Sequence, residues 1–276
     1  MKTPCSLLWL LGVVAAIARP GYAQDNTTPP LAVPPDPVLV HLDTPSVPGK
    51  GAGAARVDVR FFGGDEDTVY TGLSASYGFG DGWAGILRGS FAGRKTFTFP
   101  SGDYIRHGGS DVELLAKYRF KSNSPVAVAG LLGVSFPSTP AQSDAMLTLG
   151  VAASTPIGSG FTAYLNPRAV FIKDNTLAGI GLGVRARLSD TLFLIGDGTA
   201  VIAGDNTRRT SDGSRRQSAL YGVALRFSPK AKKASDYSLG FDLGYTNSIG
   251  STTGFGLTPG LGGGDGAFYA AFSVRR

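Results

Sequence analysis

The chain has 276 residues, of which 42% are hydrophobic and 17% charged, with a formal net charge of +6 and one cysteine. One cysteine excludes a disulfide framework, and nothing beyond the N-terminus approaches the roughly 20 apolar residues of a membrane helix. The 40 glycines, without a collagen period, leave disorder or a β-rich protein with close backbone approaches.

The first 23 residues read as a secretory signal peptide. Lys2 supplies the positive start, Leu7 to Ile17 the short apolar run, and Gly21-Tyr22-Ala23 a small-x-small cleavage site. Cys5 precedes the apolar run, so it is not a lipid-attachment cysteine and leaves with the signal. Residues 24–51 form a proline-dense periplasmic lead-in without a sustained period. They are expected to be an extended tail, with a short strand over Val38 to Leu42 as the alternative.

Residues 52–276 break into segments of about ten residues with period-two alternation. Twelve are expected, near 54–62, 68–79, 83–93, 111–120, 126–136, 144–154, 160–171, 178–188, 191–202, 217–227, 237–246 and 267–275. The fourth is the clearest. Val112, Leu114, Ala116, Tyr118 and Phe120 fall on one side, and Asp111, Glu113, Lys117 and Arg119 on the other. Aromatic residues gather at segment ends, among them Phe61, Tyr77, Phe79, Trp83, Phe136, Phe171, Phe227 and Tyr237, as interfacial girdles require.

The connections alternate between short turns such as Gly80-Asp81-Gly82 and longer stretches such as Arg94 to Ser110, Ala203 to Arg216 and Asn247 to Gly266. This alternation fits short periplasmic turns and long outer loops. The expected fold is therefore all-β, a transmembrane antiparallel up-and-down β-barrel of about twelve strands, in the bacterial outer membrane. The soluble alternatives, a sandwich or a lipocalin-like barrel, need a solvated face rich in Lys, Glu, Thr and Gln. The polar face here carries mainly Gly, Ser, Ala and Thr with isolated arginines. Pro167 is expected to mark a bulge. The last segment ends in Arg275-Arg276 where an aromatic would be usual.

Assigning the apolar set to lipid leaves a pore-lining set. It comprises Arg56, Asp58, Arg60, Arg88, Glu113, Lys117, Arg119, Arg168, Arg185, Arg187, Asp197, Arg226, Asp242 and Arg275. Ten basic groups face four acids, so about six basic groups would lack a carboxylate partner and should meet water or an anion. That balance favours a wet, anion-preferring lumen over a plug.

Catalytic signatures are weak. The histidines, His41 in the lead-in and His107 in a long connection, stand beside no strand-end serine. His107 with Asp103 or Asp111 is at most a fragment of a protease site. No metal site or cofactor is expected, and Asp65, Glu66 and Asp67 read as a solvated acidic loop. Gly179-Ile-Gly-Leu-Gly-Val184 lies within a strand pattern, where close backbone approach explains it better than a nucleotide loop. Arg208-Arg209 and Arg215-Arg216 read as solvated outer charge that can meet lipopolysaccharide, with no nucleic-acid role.

The middle of the chain resembles a family of outer-membrane transporter barrels named for the meta-pathway of phenol degradation. The carrying residues are Ser110 to Phe120, the apolar strand Val126 to Phe136 ending at Pro137, Tyr164-Leu-Asn-Pro-Arg168, Gly181 to Asp190, and Asp197. The chain departs from the pattern at Pro137-Ser138-Thr139, where Pro-Thr-Gly would fit. The resemblance implies transport of small hydrophobic or aromatic compounds and supplies no established binding residues. Together these readings lead to a passive outer-membrane port for small anionic or aromatic solutes. Its expected partners are lipid, lipopolysaccharide and the barrel assembly machinery. The alternative is a structural or adhesive barrel with a closed lumen.

Overall fold

The computed structural model describes residues 38–62, 68–98, 104–138, 144–171, 176–204, 206, 217–229, 237–259 and 266–275. The signal segment 1–23, the acidic loop at 65–67 and the basic pairs at 208–209 and 215–216 lie outside the described residues.

Twelve antiparallel strands close into one barrel, each paired with its neighbours in sequence and β1 with β12. In chain order they are β1 (Gly53–Phe62), β2 (Thr68–Gly80), β3 (Trp83–Thr98), β4 (Tyr104–Arg119), β5 (Ala127–Ser138) and β6 (Met146–Ile157). Then follow β7 (Phe161–Phe171), β8 (Leu177–Arg187), β9 (Leu192–Ala203), β10 (Leu220–Phe227), β11 (Ser238–Thr246) and β12 (Ala267–Arg275). A short helical turn, α1 (Thr253–Gly256), interrupts the last long connection.

Alternation sets which way each side chain points, because successive Cβ atoms leave opposite faces of a strand. In β10, Tyr221, Val223, Leu225 and Phe227 are exposed while Leu220, Gly222, Ala224 and Arg226 are buried. Leu73, Leu87, Leu114, Leu132, Leu147, Leu165, Leu239 and Phe272 are likewise exposed. Such a continuous apolar outer wall is stable only against lipid. Closure pairs every strand on both sides and leaves no edge with unpaired backbone groups in hydrocarbon. At the short-turn end, Tyr77 packs on Phe79, and Trp83 and Phe120 on Tyr118, with ring centroids 4.7–5.4 Å apart. These rings form one interfacial girdle. The turn Gly80-Asp81-Gly82 takes φ of 103°, 51° and 86°, the left-handed backbone that Gly and Asp tolerate best.

Two details correct the sequence reading. The connection expected over Arg94 to Ser110 is largely strand, because Lys95 to Thr98 pair with Tyr104 to His107 and the β3–β4 hairpin continues past a register shift. Pro167 interrupts the β6–β7 ladder without shifting its register. Gly150 pairs with Arg168 and Ala153 with Leu165, in line with one another. Pro167 has no N–H to give, and the side chain of Asn166 donates to the Val151 carbonyl at 2.8 Å in the gap.

Candidate functional site: the barrel interior

Among the described residues, two chain segments occupy the interior. The first belongs to the proline-rich lead-in. It enters at the short-turn end, where Gly51 N–H donates to Gly78 O at 2.9 Å, and reverses over Val38 to Asp43. An antiparallel bridge joins Val38 and Asp43, and Leu39 N–H donates to Leu42 O at 2.8 Å. The segment is neither a tail nor a ladder strand. It is a tight turn whose apolar side chains bury against the inner wall. Leu39, Val40 and Leu42 pack with Tyr164, Ile195, Ala224, Tyr269 and Ala271.

Glycines of the wall make room for it. A Cβ on Gly181 would collide with Leu42, one on Gly183 with Leu39, and one on Gly222 with Val40. The close approach expected at Gly179 to Val184 is thus to an inserted segment, and Leu257 of the second segment stands over Gly179 in the same row.

Asp197 of β9 organises the turn. Its Oδ2 accepts the backbone N–H groups of Val40 and His41 at 2.9 Å and of Leu42 at 3.2 Å. Its Oδ1 stands 2.6 Å from His41 Nδ1, and His41 Nε2 lies 3.2 Å from Thr199 Oγ1. Burial holds the His41 imidazole below its usual range against the opposing pull of Asp197, with Arg168 and Arg60 acting in the same direction as burial. Wall arginines meanwhile donate to the turn's carbonyls. Arg226 Nη1 reaches Val38 O at 3.2 Å and its Nη2 reaches Leu39 O at 3.3 Å. Arg168 Nη1 reaches His41 O at 2.7 Å.

Asp43 closes the turn. Its carboxylate is gripped by both terminal nitrogens of Arg88, with Arg88 Nη1 3.2 Å from Oδ2, and its N–H donates to Asn166 Oδ1 at 3.2 Å. Burial works to raise this carboxyl, but Arg88 and then Lys117 outweigh it and hold the group below the usual carboxylate range. Glu113 Oε2 stands 3.6 Å from Arg88 Nη1, the nitrogen that also meets Asp43.

The second segment is the connection after β11, which dips inward from the opposite end. Ser251 and Thr252 N–H groups donate to Ser90 Oγ at 2.8 and 3.0 Å, and Thr253 N–H donates to Glu113 Oε2 at 3.1 Å. Ser251 Oγ donates to Asp58 at 2.6 Å. On the other side Leu257 packs with Met146, Val170, Leu177 and Leu220. Arg168 joins the two segments, donating from Nη2 to Gly256 O at 3.2 Å.

The interior charges are therefore engaged more fully than one-to-one counting implied. Asp242 accepts from Arg56 at 2.6 Å and twice from Arg226 at 2.7 Å, and Arg60 stands 3.0 Å from Asp58. Arg275 donates to Ser228 Oγ at 3.1 Å. Arg185 lies half-buried with its guanidinium carbon 4.4 Å from the Phe193 ring centre. Arg119 and Arg187 are exposed at the short-turn end, Arg187 beside Asp190. The preference for a wet lumen over a plug is corrected here. Backbone carbonyls and Asp43 take the place assigned to water and anions. Two interior residues outside the strands, His41 and Asp43, were missing from the expected set. Asp111 was placed on the polar face but left out of the lining set, and it is fully buried, accepting from Ser135. Among the described residues, the Lys117 ammonium is buried without a hydrogen-bond partner. The side chain of His107 lies outside what is described.

No protein-family model matches the sequence, and no curated protein does. Solved structures share the fold. The NanC porin is 12% identical, aligned over 80% of this chain and 98% of its own, with a TM-score of 0.50. An outer-membrane channel from Pseudomonas putida F1 is 14% identical over 82% of this chain and 95% of its own, also at 0.50. The KdgM porin is 10% identical over 81% and 97%, at 0.48. The fold is that of an outer-membrane barrel. At these identities the likeness concerns architecture alone.

Proposed function

We propose that the chain is an outer-membrane channel for small anionic or aromatic solutes, closed at rest by its own lead-in turn and inward loop. Export through a cleaved signal at 1–23 and insertion by the barrel assembly machinery into a lipopolysaccharide-bearing membrane belong to this reading. The observation that carries it is how the interior is filled. A barrel serving only as scaffold can fill its lumen with wall side chains. Here the wall keeps Gly181, Gly183 and Gly222 facing inward, where the separate peptide turn occupies the space they leave, and Gly179 facing Leu257 of the inward loop. Its polar anchors are reversible contacts from Asp197, Arg88, Arg168 and Arg226. Withdrawal of the turn would leave a passage lined by arginines, which favours anions. The Pseudomonas putida neighbour is an outer-membrane channel, which supports the same reading.

The test is swelling of liposomes carrying the purified protein. Small aromatic carboxylates such as benzoate are expected to enter faster than matched cations such as benzylamine. Equal exclusion of both by a folded form with the turn and the inward loop removed would favour the structural or adhesive alternative.

A further inference from the structure

We infer that Arg88 and Lys117 form a carboxylate-binding site on the solute route, and that Asp43 occupies it as a resident stand-in for the solute. The inference rests on the channel reading and adds a ligand class and a location.

Arg88 meets Asp43 through both terminal nitrogens of its guanidinium, the two-pronged geometry by which this group recognises a free carboxylate. The donor belongs to the wall and the acceptor to the inserted turn, so the contact breaks whenever the turn leaves. Lys117 lies on β4, whose Glu113 pairs in register with Arg88. Its ammonium is buried, acts electrostatically on Asp43, and has no hydrogen-bond partner among the described residues. A buried ammonium left without a bond is costly, so its retention calls for an acceptor that is sometimes there. Withdrawing Asp43 leaves three cations that act on it, Arg88, Lys117 and Arg168, facing one wall carboxylate, Glu113, at 3.6 Å from Arg88. The vacated site has room and charge for one monovalent carboxylate. A solute carrying that group competes with Asp43 for Arg88, and by winning it loosens the turn. Binding and opening are thereby linked through a single exchange of carboxylates.

The test uses the purified full-length barrel in detergent and benzoate as the probe, with benzamide as its neutral match. Calorimetry is expected to show benzoate binding roughly tenfold tighter in Asp43→Asn than in the wild type, because the internal competitor is gone. Benzamide should not gain. A second measurement needs no change at Asp43. With Ser46→Cys, buried three residues after the otherwise wild-type turn, as a reporter of its release, saturating benzoate should speed maleimide labelling, and Lys117→Gln should weaken that response. Folding of each form is checked by the gel shift between unheated and boiled samples. Benzoate that binds no tighter to Asp43→Asn than to the wild type, or benzamide that gains equally, overturns the site. So does reporter labelling that benzoate leaves unchanged. Since neither readout requires conduction, a barrel that conducts but fails them loses this site and keeps the channel reading. A barrel that passes them but never conducts keeps the site and loses the channel.

Discussion

Asp197 holds His41 at two points: its Oδ2 accepts the His41 N–H at 2.9 Å, and its Oδ1 stands 2.6 Å from the imidazole Nδ1. Because Oδ2 also accepts from Val40 and Leu42, one wall carboxylate fixes the whole crest of the turn. Bonds to a charged acceptor contribute about 1.5–3 kcal/mol each. Asp197→Ala should therefore free the turn while the wall persists. Maleimide labelling of Ser46→Cys is expected to speed by at least about tenfold, with the heat-dependent gel shift unchanged. Unaltered labelling would mean that the apolar contacts of Leu39, Val40 and Leu42 suffice to hold the turn.

The His41 imidazole gives the turn a pH response. Its pKa when docked lies below the free value of 6.5, with burial outweighing the Asp197 carboxylate. Above that free value both states are neutral, and docking is at full strength. Below it the released turn takes up a proton that the docked turn resists, so docking weakens as pH falls. The groups facing the ring are Asp197 and Thr199 on β9, Arg168 on β7 and Arg60 on β1. Asp43 adds a second loss at lower pH, as its depressed carboxyl is protonated. Labelling of Ser46→Cys should rise as pH falls below about 6.5. His41→Gln should flatten that window and leave the lower one.

The glycine row predicts a steric way to expel the turn. Gly181→Ala and Gly183→Ala place a methyl group against Leu42 and Leu39. Overpacking of this kind costs about 1–3 kcal/mol, which should appear as faster labelling of the turn. Gly150→Ala is the control, since a Cβ there meets nothing closer than 3.6 Å.

Topology follows from the connection lengths. Cysteines at Ser101 or Ser211 should react on intact cells with a membrane-impermeant maleimide. Ser251 reads from sequence as an equivalent outer position. The structure sets it inward on Ser90 and Asp58, so Ser251→Cys should react slowly. Rapid reaction there would show that the inward loop does not hold its place.

The barrel was legible in the sequence and its contents were not. Period-two alternation is a local signal, and Val112 to Phe120 declares its two faces without help from the rest of the chain. The inserted turn is fastened largely through backbone groups: the carbonyls of Val38, Leu39 and His41 and the N–H groups of Val40 to Leu42. Every residue carries such groups, so no residue type marks the segment. Its one distinctive charge, Asp43, finds Arg88 across 45 positions of sequence. Counting carboxylates on strands alone therefore left the arginines short of partners. The glycines at 179, 181 and 183 did signal close approach, but nothing local names what approaches.

The central claim is that a conducting barrel is closed by its own inserted chain, and single-channel recording in planar bilayers tests it most directly. The comparison is between the wild type and a form lacking residues 24–47 in which residues 250–257 are replaced by Gly and Ser. Both should show the gel shift of a folded barrel. The wild type is expected to be closed or to open briefly, and the altered form to conduct steadily with a reversal potential in a salt gradient that marks anion preference, weakening at high ionic strength. A folded, altered barrel that stays silent, or that conducts cations preferentially, would contradict it.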